Sequence, residues 1–450
     1  MSLPSAHDGA AAGRAIRSTV PRSRHREWQP DDARADPVAT LRAAESERLP
    51  ELLGLRYERM AESPFTFLRG SAAVMASDLA TTPQSGLRVQ ACGDAHIGNF
   101  RLLGTPERNL ILDLNDFDET SPASFEWDLK RLAASTVVAA RHHGWSPRVC
   151  RDIAESAAFT YRTKMASFAR QRSLDVWYSS IDRTALEEEL RLSKIDKHQH
   201  RLAHKAMKKA WAKDNLKAAR RLTIRVDGAL RLRDDPPLIF HRAQDADLVE
   251  SVLLSYRSAL ADYKTVLLDR YELVDYTFKV VGVGSVGTRC WIALFEGSAG
   301  HDPLVLQLKQ AGRSVLEPYA GRNRYGHGGR RVVEGQRLIQ AAGDIFLGWT
   351  RGPVTGIDYY VRQLWDMKGK IDTQLMNEPS FTLFAQLCGW TLARAHARSG
   401  TPVAIAGYIG SGDAFDRAIG AFAVAYADQT ERDHERLCRA LEKGELPGRD

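Results

Sequence analysis

Apolar residues return with helical spacing over most of this chain and alternate like those of strands in one block of its second half. Helices are expected at 36–49, where Asp36 and Pro37 supply an N-cap and a first helical position, and at 65–79, 126–143, 151–172, 185–222, 246–268, 380–399 and 413–441. Short strands are expected at 87–91, 100–103 and 109–114, the last two joined by the turn Gly104-Thr105-Pro106-Glu107. Asp234-Asp235-Pro236-Pro237 interrupts the helical run. The texture then changes: 276–295, 303–309 and 358–365 predict strands, with one helix at 333–342 between them. Leu304, Leu306 and Leu308 share one face of such a strand, and Val305, Gln307 and Lys309 share the other.

A β-rich block inside a helical chain predicts an α+β protein of two lobes. The expected organisation is a disordered arm at 1–35, a large helical lobe at 36–274, a small β-rich lobe at 275–365, and a helical stretch at 366–450 that completes the large lobe. The arm is rich in Ala, Ser, Arg and Asp and has no apolar core of signal-peptide type. At 450 residues, 44% hydrophobic and 26% charged, the chain has the makeup of a globular protein with a large core. No apolar run nears the roughly 20 residues that cross a bilayer.

Five scattered cysteines without a CxxC pair fit free thiols in a reduced cytoplasm better than a disulfide scaffold or a zinc site. The net charge of +7 suits anionic ligands. Much of it sits between Lys194 and Arg221, Lys213 included, as a solvated helix face. A nucleic-acid surface there is the less favoured use, because Trp211 is the only aromatic interleaved in it. His200 and His204 share a helix face but His198 does not, so these histidines also read as solvated polar residues.

The candidate chemistry begins at Gly93-Asp94-Ala95-His96-Ile97-Gly98-Asn99, followed by Asp116-Phe117-Asp118. An Asp, an Asn five positions on, and an acidic turn suit a general base with two magnesium ligands. Asp94 is the expected base and Asn99 and Asp116 the expected ligands, with Asp118 next and Asp113 third. His96 is expected to serve the loop structurally, and Asp128 to cap a helix or anchor the loop. Gly282, Gly284 and Gly287 form a GxGxxG run flanked by strands, which is a hairpin and not the helix start of a dinucleotide fold. Such a loop can fold its backbone over nucleotide phosphates. Lys309 can reach those phosphates from its strand, oriented by Glu334 or by Glu317.

These residues resemble the aminoglycoside phosphotransferase branch of the protein-kinase-like superfamily. Gly93-Asp94, His96 and Asn99 match its catalytic loop, Asp116-Phe117-Asp118 its metal turn, and Asp128-Leu129 the pair that follows. The order is rotated: glycine loop, lysine strand, a hinge at 359–365 and a helix ending Leu392-Ala393-Arg394-Ala395-His396 come after the loop they should precede. One cut recovers the usual order, so the resemblance implies a circularly permuted, bilobal kinase-like fold. Nearly the whole chain also resembles the bacterial DUF2252 proteins, through Phe67-Leu68-Arg69-Gly70, 92–100, 115–120 and 126–132.

The implied activity is phosphoryl transfer from ATP, with Mg²⁺, to a small-molecule or protein hydroxyl. Two departures stand out: Cys92 replaces the loop histidine, and Gln307 replaces the small apolar residue that usually packs on adenine. Nucleotidyl transfer from a reversed ATP, a non-catalytic nucleotide-binding regulator, and a nucleic-acid-associated protein are the alternatives.

Overall fold

Alternating side chains between 271 and 363 build a six-stranded antiparallel sheet. Its spatial order is Gly348–Arg351, Asp358–Gln363, Pro303–Gln310, Cys290–Gly297, Tyr271–Lys279 and Ile239–Phe240. This computed structural model describes residues 6–212, 215–298, 302–364 and 367–448; Lys213 and Trp365 lie outside them. Both faces of the sheet are covered. Leu304, Leu306 and Leu308 join Phe278, Trp291 and Tyr359 in one cluster, closed by Val249, Val252 and Tyr256 of the helix Ala246–Ala259. Val305 meets Ile292, Leu294, Leu222 and Leu232 on the other side.

The expected lobe boundary at 275 therefore falls inside a strand, and much of 222–268 packs on the sheet instead of the helical body. An amphipathic helix presents the same stripe to either core, so its periodicity does not say which one it covers. Three expected helices are also subdivided, among them 246–268, which becomes Ala246–Ala259 and Asp262–Leu268. The 65–79 stretch breaks at Ser71 into Pro64–Gly70 and Ala72–Ala80. The 185–222 stretch becomes Arg183–Leu192, Lys197–Trp211 and Asn215–Leu222, with the Asp196 carboxylate capping Gln199 N at 2.8 Å.

The helical body centres on Phe125–His142, Pro147–Phe168, Glu378–Ser399 and Ala414–Glu442. Phe125–His142 is buried on all sides and carries Glu126, Asp128, Lys130 and Arg131 into the interior. Burial pushes Lys130 down to about 7, against the attraction of Glu126, and its Nζ faces the Phe422 ring at 4.7 Å. Between pH 10.5 and 7 the unfolded chain takes up a proton that the fold resists, so stability falls over that window as pH falls, and then levels. Lys130→Met is expected to raise the melting temperature at pH 7, with the gap to wild type narrowing near pH 10 in thermal melts.

The N-terminal arm is not disordered over its described part. The helix Ala6–Ile16 lies against Pro402–Ile409 so closely that a Cβ on Gly13 would meet the Ala404 carbonyl at 2.1 Å. Arg17 and Arg22 donate to the carbonyls of Tyr408 and Ile409 at 2.8 Å each. Arg34 bridges Asp78 and Asp433. The protein is thus α+β, helical with small sheets, and among the described residues no helix is long and apolar enough to cross a membrane. The five cysteines are all free, four of them buried.

Candidate active-site cleft

The loop after strand Arg88–Ala91 turns on Gly93, whose φ is +83°; a side chain there would also bring a Cβ within 2.3 Å of the Glu119 carbonyl. Asp128, in the first turn of Phe125–His142, accepts from Cys92 N at 2.6 Å and Gly93 N at 2.9 Å. His396 Nε2 stands 3.1 Å from the same carboxylate, and Tyr161 OH lies 2.8 Å from His396 Nδ1. The helix 378–399 and the helix 125–142 thus hold the loop from beneath, and Asp128 has the anchoring role expected of it.

Asp94 receives Arg131 Nε at 2.6 Å, one helical turn beyond Asp128. Burial raises the Asp94 carboxyl to about 6, with Arg131 pulling it down and Asp116 pushing it up. Asn99 donates its Nδ2 to the Asp94 carbonyl at 2.7 Å, so Oδ1 is the acceptor end of its amide. His96 accepts from Gly98 N at 3.1 Å and is held neutral by burial and by Arg69, which fits a structural role.

Asp118 differs from expectation. Its carboxylate is met by Lys309 Nζ, by Ser285 Oγ at 3.0 Å and by Tyr360 OH at 2.8 Å, and Lys309 also reaches Ser285 Oγ at 2.7 Å. Burial alone would raise the Asp118 carboxyl; Lys309 overrides it and holds the group well below the usual carboxylate range. Both oxygens are met by protein donors in this structure, so Asp118 stands here as the counter-ion of Lys309. Asp113 is likewise committed elsewhere, to Arg394 at 2.6 Å and Ala341 N at 2.8 Å.

The two glutamates expected to orient Lys309 do not. Glu334 pairs with Arg337 at 3.1 Å, and Glu317 receives Asn323. The helix begins at Gly328, five residues before the expected start, and turns Arg331 and Gly335 inward. Arg331 donates to the carbonyls of Thr120 and Asp118 at 2.7 Å each, and a Cβ on Gly335 would strike Thr120. Glu334, on the same helix, is half-buried and is bonded by Arg337.

The glycine hairpin is clamped through its carbonyls. Arg59 donates to Val281 O at 3.0 Å, Arg56 to Val283 O at 3.0 Å, and Arg48 to Gly284 O at 2.9 Å and to Val286 O. These guanidinium groups neutralise carbonyl ends that would repel an anion. Gly287, at φ +91°, packs against Arg48.

A cleft of about 730 Å³ lies between the sheet lobe and the helical body. It brings together Asp94, Asn99, Asp116, Gly282, Gly284 and Lys309, although the segments are up to two hundred residues apart in sequence. Gly287, Asp118, Glu317 and Glu334 are not part of its lining. Arg59, Arg69, Arg101 and Arg362 add positive charge; Lys279 and Lys368 also line it, with burial disfavouring their charged forms. Arg221 also lines it, the one contribution from the described residues of the basic 194–221 stretch. The buried Nε atoms of Arg69 and Arg101 have no hydrogen-bond partner among the described residues. Among the described residues no group of three or more His, Cys, Asp or Glu is set to hold a metal ion. Asn99 and Asp116 both line the cleft.

The family described as "Uncharacterized protein conserved in bacteria (DUF2252)" matches residues 48–440. The chain belongs to the DUF2252 family. No curated protein and no solved structure matches it. In this DUF2252 chain, residues 48–59 supply the arginines on the glycine hairpin, His396 supports the 93–99 loop through Asp128, and the matched span includes every residue that lines the cleft.

Sequence reasoning missed Arg131, Ser285 and Tyr360. Ser285 lies inside the GxGxxG run, where its hydroxyl was the available signal. Arg131 follows Asp128 by three positions, one helical turn, which would have placed both under the loop. Nothing in the sequence around Tyr360 marks it.

Proposed function

We propose that this DUF2252 protein is a Mg-ATP-dependent phosphotransferase with a circularly permuted, kinase-like arrangement of two lobes. The observation that carries this is the convergence of Lys309 with Asp94, Asn99 and Asp116 on one cationic cleft. Lys309 stands on the strand that directly follows the two strands of the glycine hairpin, as the lysine of kinase-like enzymes does.

The residues fit the substrates. The unpartnered Nε atoms of Arg69 and Arg101, together with Lys309, suit phosphate oxygens. Asn99 Oδ1 and the Asp116 carboxylate are hard oxygen donors of the kind magnesium takes alongside water. When bound, Mg²⁺ would neutralise phosphate charge. Asp94 accepts a hydrogen bond from the acceptor hydroxyl, orients it, and takes its proton as the new O–P bond forms and the γ-phosphoryl leaves ADP. Arg131 fixes the carboxylate in place, and Lys309 binds the phosphates against the glycine hairpin.

Asp94 works as a carboxylate, so turnover is expected to rise with pH through about 6 and level above it. A pH–rate profile of Mg-ATP consumption checks this; a limb near 4 would remove the buried-base assignment.

A second reading is nucleotidyl transfer, and one observation favours it. Gln307 is held by Arg362 Nε at 3.0 Å and donates to Cys290 Sγ at 3.2 Å, which makes the expected adenine side of the cleft polar and cationic. A reversed ATP would put its phosphates there. Incubation with γ-labelled and α-labelled ATP in parallel, across hydroxyl-bearing small molecules and the protein itself, separates the two. Transfer of γ label with release of ADP supports the first, and transfer of α label with release of pyrophosphate supports the second. Nucleotide binding without either transfer would leave a non-catalytic regulator.

A further inference from the structure

We propose that a second phosphate-binding site lies behind the glycine hairpin, separate from the active-site cleft. A cavity of about 790 Å³ opens there, between the end of the lysine strand, the segment 312–328 and Arg48, and it shares no lining residue with the cleft.

Six guanidinium groups line it: Arg48, Arg289, Arg313, Arg322, Arg324 and Arg331. Three carboxylates oppose them, and two of those have other partners. Asp358 accepts from Arg351 at 2.7 Å and from Gly328 N at 2.7 Å, and Glu317 is bonded by Asn323. The wall therefore keeps an excess of positive charge facing one space.

Two features separate this cluster from a solvated basic surface. Arg331 is only 1% exposed and its Nε has no partner, and the Nε of Arg48 is buried in the same state. A buried charged donor without an acceptor marks a position where a ligand atom belongs. Arg313 and Arg322 are exposed at the cavity and have no hydrogen bond or ion pair among the described residues. The guanidinium fork matches phosphate oxygens in pairs, which makes a phosphate group the ligand chemistry this wall fits.

The two deep arginines also grip the cleft from behind. Arg48 donates to the Gly284 carbonyl at 2.9 Å, and Arg331 to the Asp118 carbonyl at 2.7 Å. An occupant of the second site would contact the side chains that fix the glycine hairpin and the counter-ion of Lys309.

The test is calorimetric titration of the full chain with inorganic pyrophosphate, comparing wild type with Arg313→Gln/Arg322→Gln/Arg324→Gln. These three side chains are exposed, so the triple variant is expected to melt at the wild-type temperature. Wild type is expected to bind two pyrophosphates per chain, and the triple variant to lose one site or bind it about tenfold more weakly or worse. A single wild-type site lost in the variant would also uphold the second site, while counting against the cleft as a phosphate site. The same stoichiometry and affinity in both proteins, or no binding to wild type, would overturn the proposal.

Discussion

Asp94→Asn is expected to lower phosphate transfer by about 10³-fold while leaving nucleotide affinity within a few-fold of wild type. The amide keeps the shape of the side chain and removes its capacity to take a proton. It also weakens the bond to Arg131, which is 2% exposed and donates to the Leu68 carbonyl at 2.9 Å as well. That second bond keeps the guanidinium group in place, so the loss should appear in turnover more than in folding. Measured turnover and nucleotide affinity of the purified variant decide it. A variant with near-normal turnover would mean that Asp94 is not the base, whatever else the cleft does.

Lys309→Met is expected to have the largest combined effect, abolishing nucleotide binding and destabilising the fold. Its ammonium is the partner of Asp118, and both sit where the strand, the glycine hairpin and the Asp116–Asp118 turn meet. Removing one member of a buried ion pair costs about 3–5 kcal/mol, because the other charge stays behind. The sign with pH follows from Asp118. Its folded pKa lies below the unfolded one, so its contribution is present above the unfolded value of about 3.9 and is lost as pH falls toward about 2. Acid melts should therefore show wild type losing its advantage over Lys309→Met in that range. Lys309→Met/Asp118→Leu removes both charges and is expected to recover much of the stability without recovering binding. If the double variant stays as unstable as the single, the pair is not what the methionine disrupts.

Which residues share the cleft was more legible than what holds them there. Asp94, Asn99, Asp116, Gly282, Gly284 and Lys309 could be picked out because each is a particular residue type at a particular spacing, and they line one cleft, whereas Gly287 does not. Their supports were less legible. Arg131 and Arg331 do their work through long side chains that reach across the core, and nothing local in the sequence marks where a guanidinium will end. Glu334 lies on the helix with Arg331 but bonds to Arg337, and nothing in the local sequence says which basic side chain it will meet.

The N-terminal stretch was misjudged for a related reason. Its alanines and glycines look poor in hydrophobic content, yet they let the helix 6–16 press its backbone against 402–409, where larger side chains would not fit. Low hydrophobicity and close packing have the same composition there. The sheet lobe was recognised through its alternation, while the flanking helix Ala246–Ala259 was assigned to the helical body because amphipathicity names a buried face without naming its partner.

The central claim is that one cleft binds a nucleotide between Lys309 and the Asn99–Asp116 pair. A crystal structure grown with Mn²⁺ and a non-hydrolysable ATP analogue tests it most directly. The expected result is an anomalous manganese peak at Asn99 Oδ1 and the Asp116 carboxylate, with phosphate oxygens bonded to Lys309. Nucleotide bound elsewhere, or a cleft that stays closed by the Lys309–Asp118 pair with metal at neither residue, would contradict it.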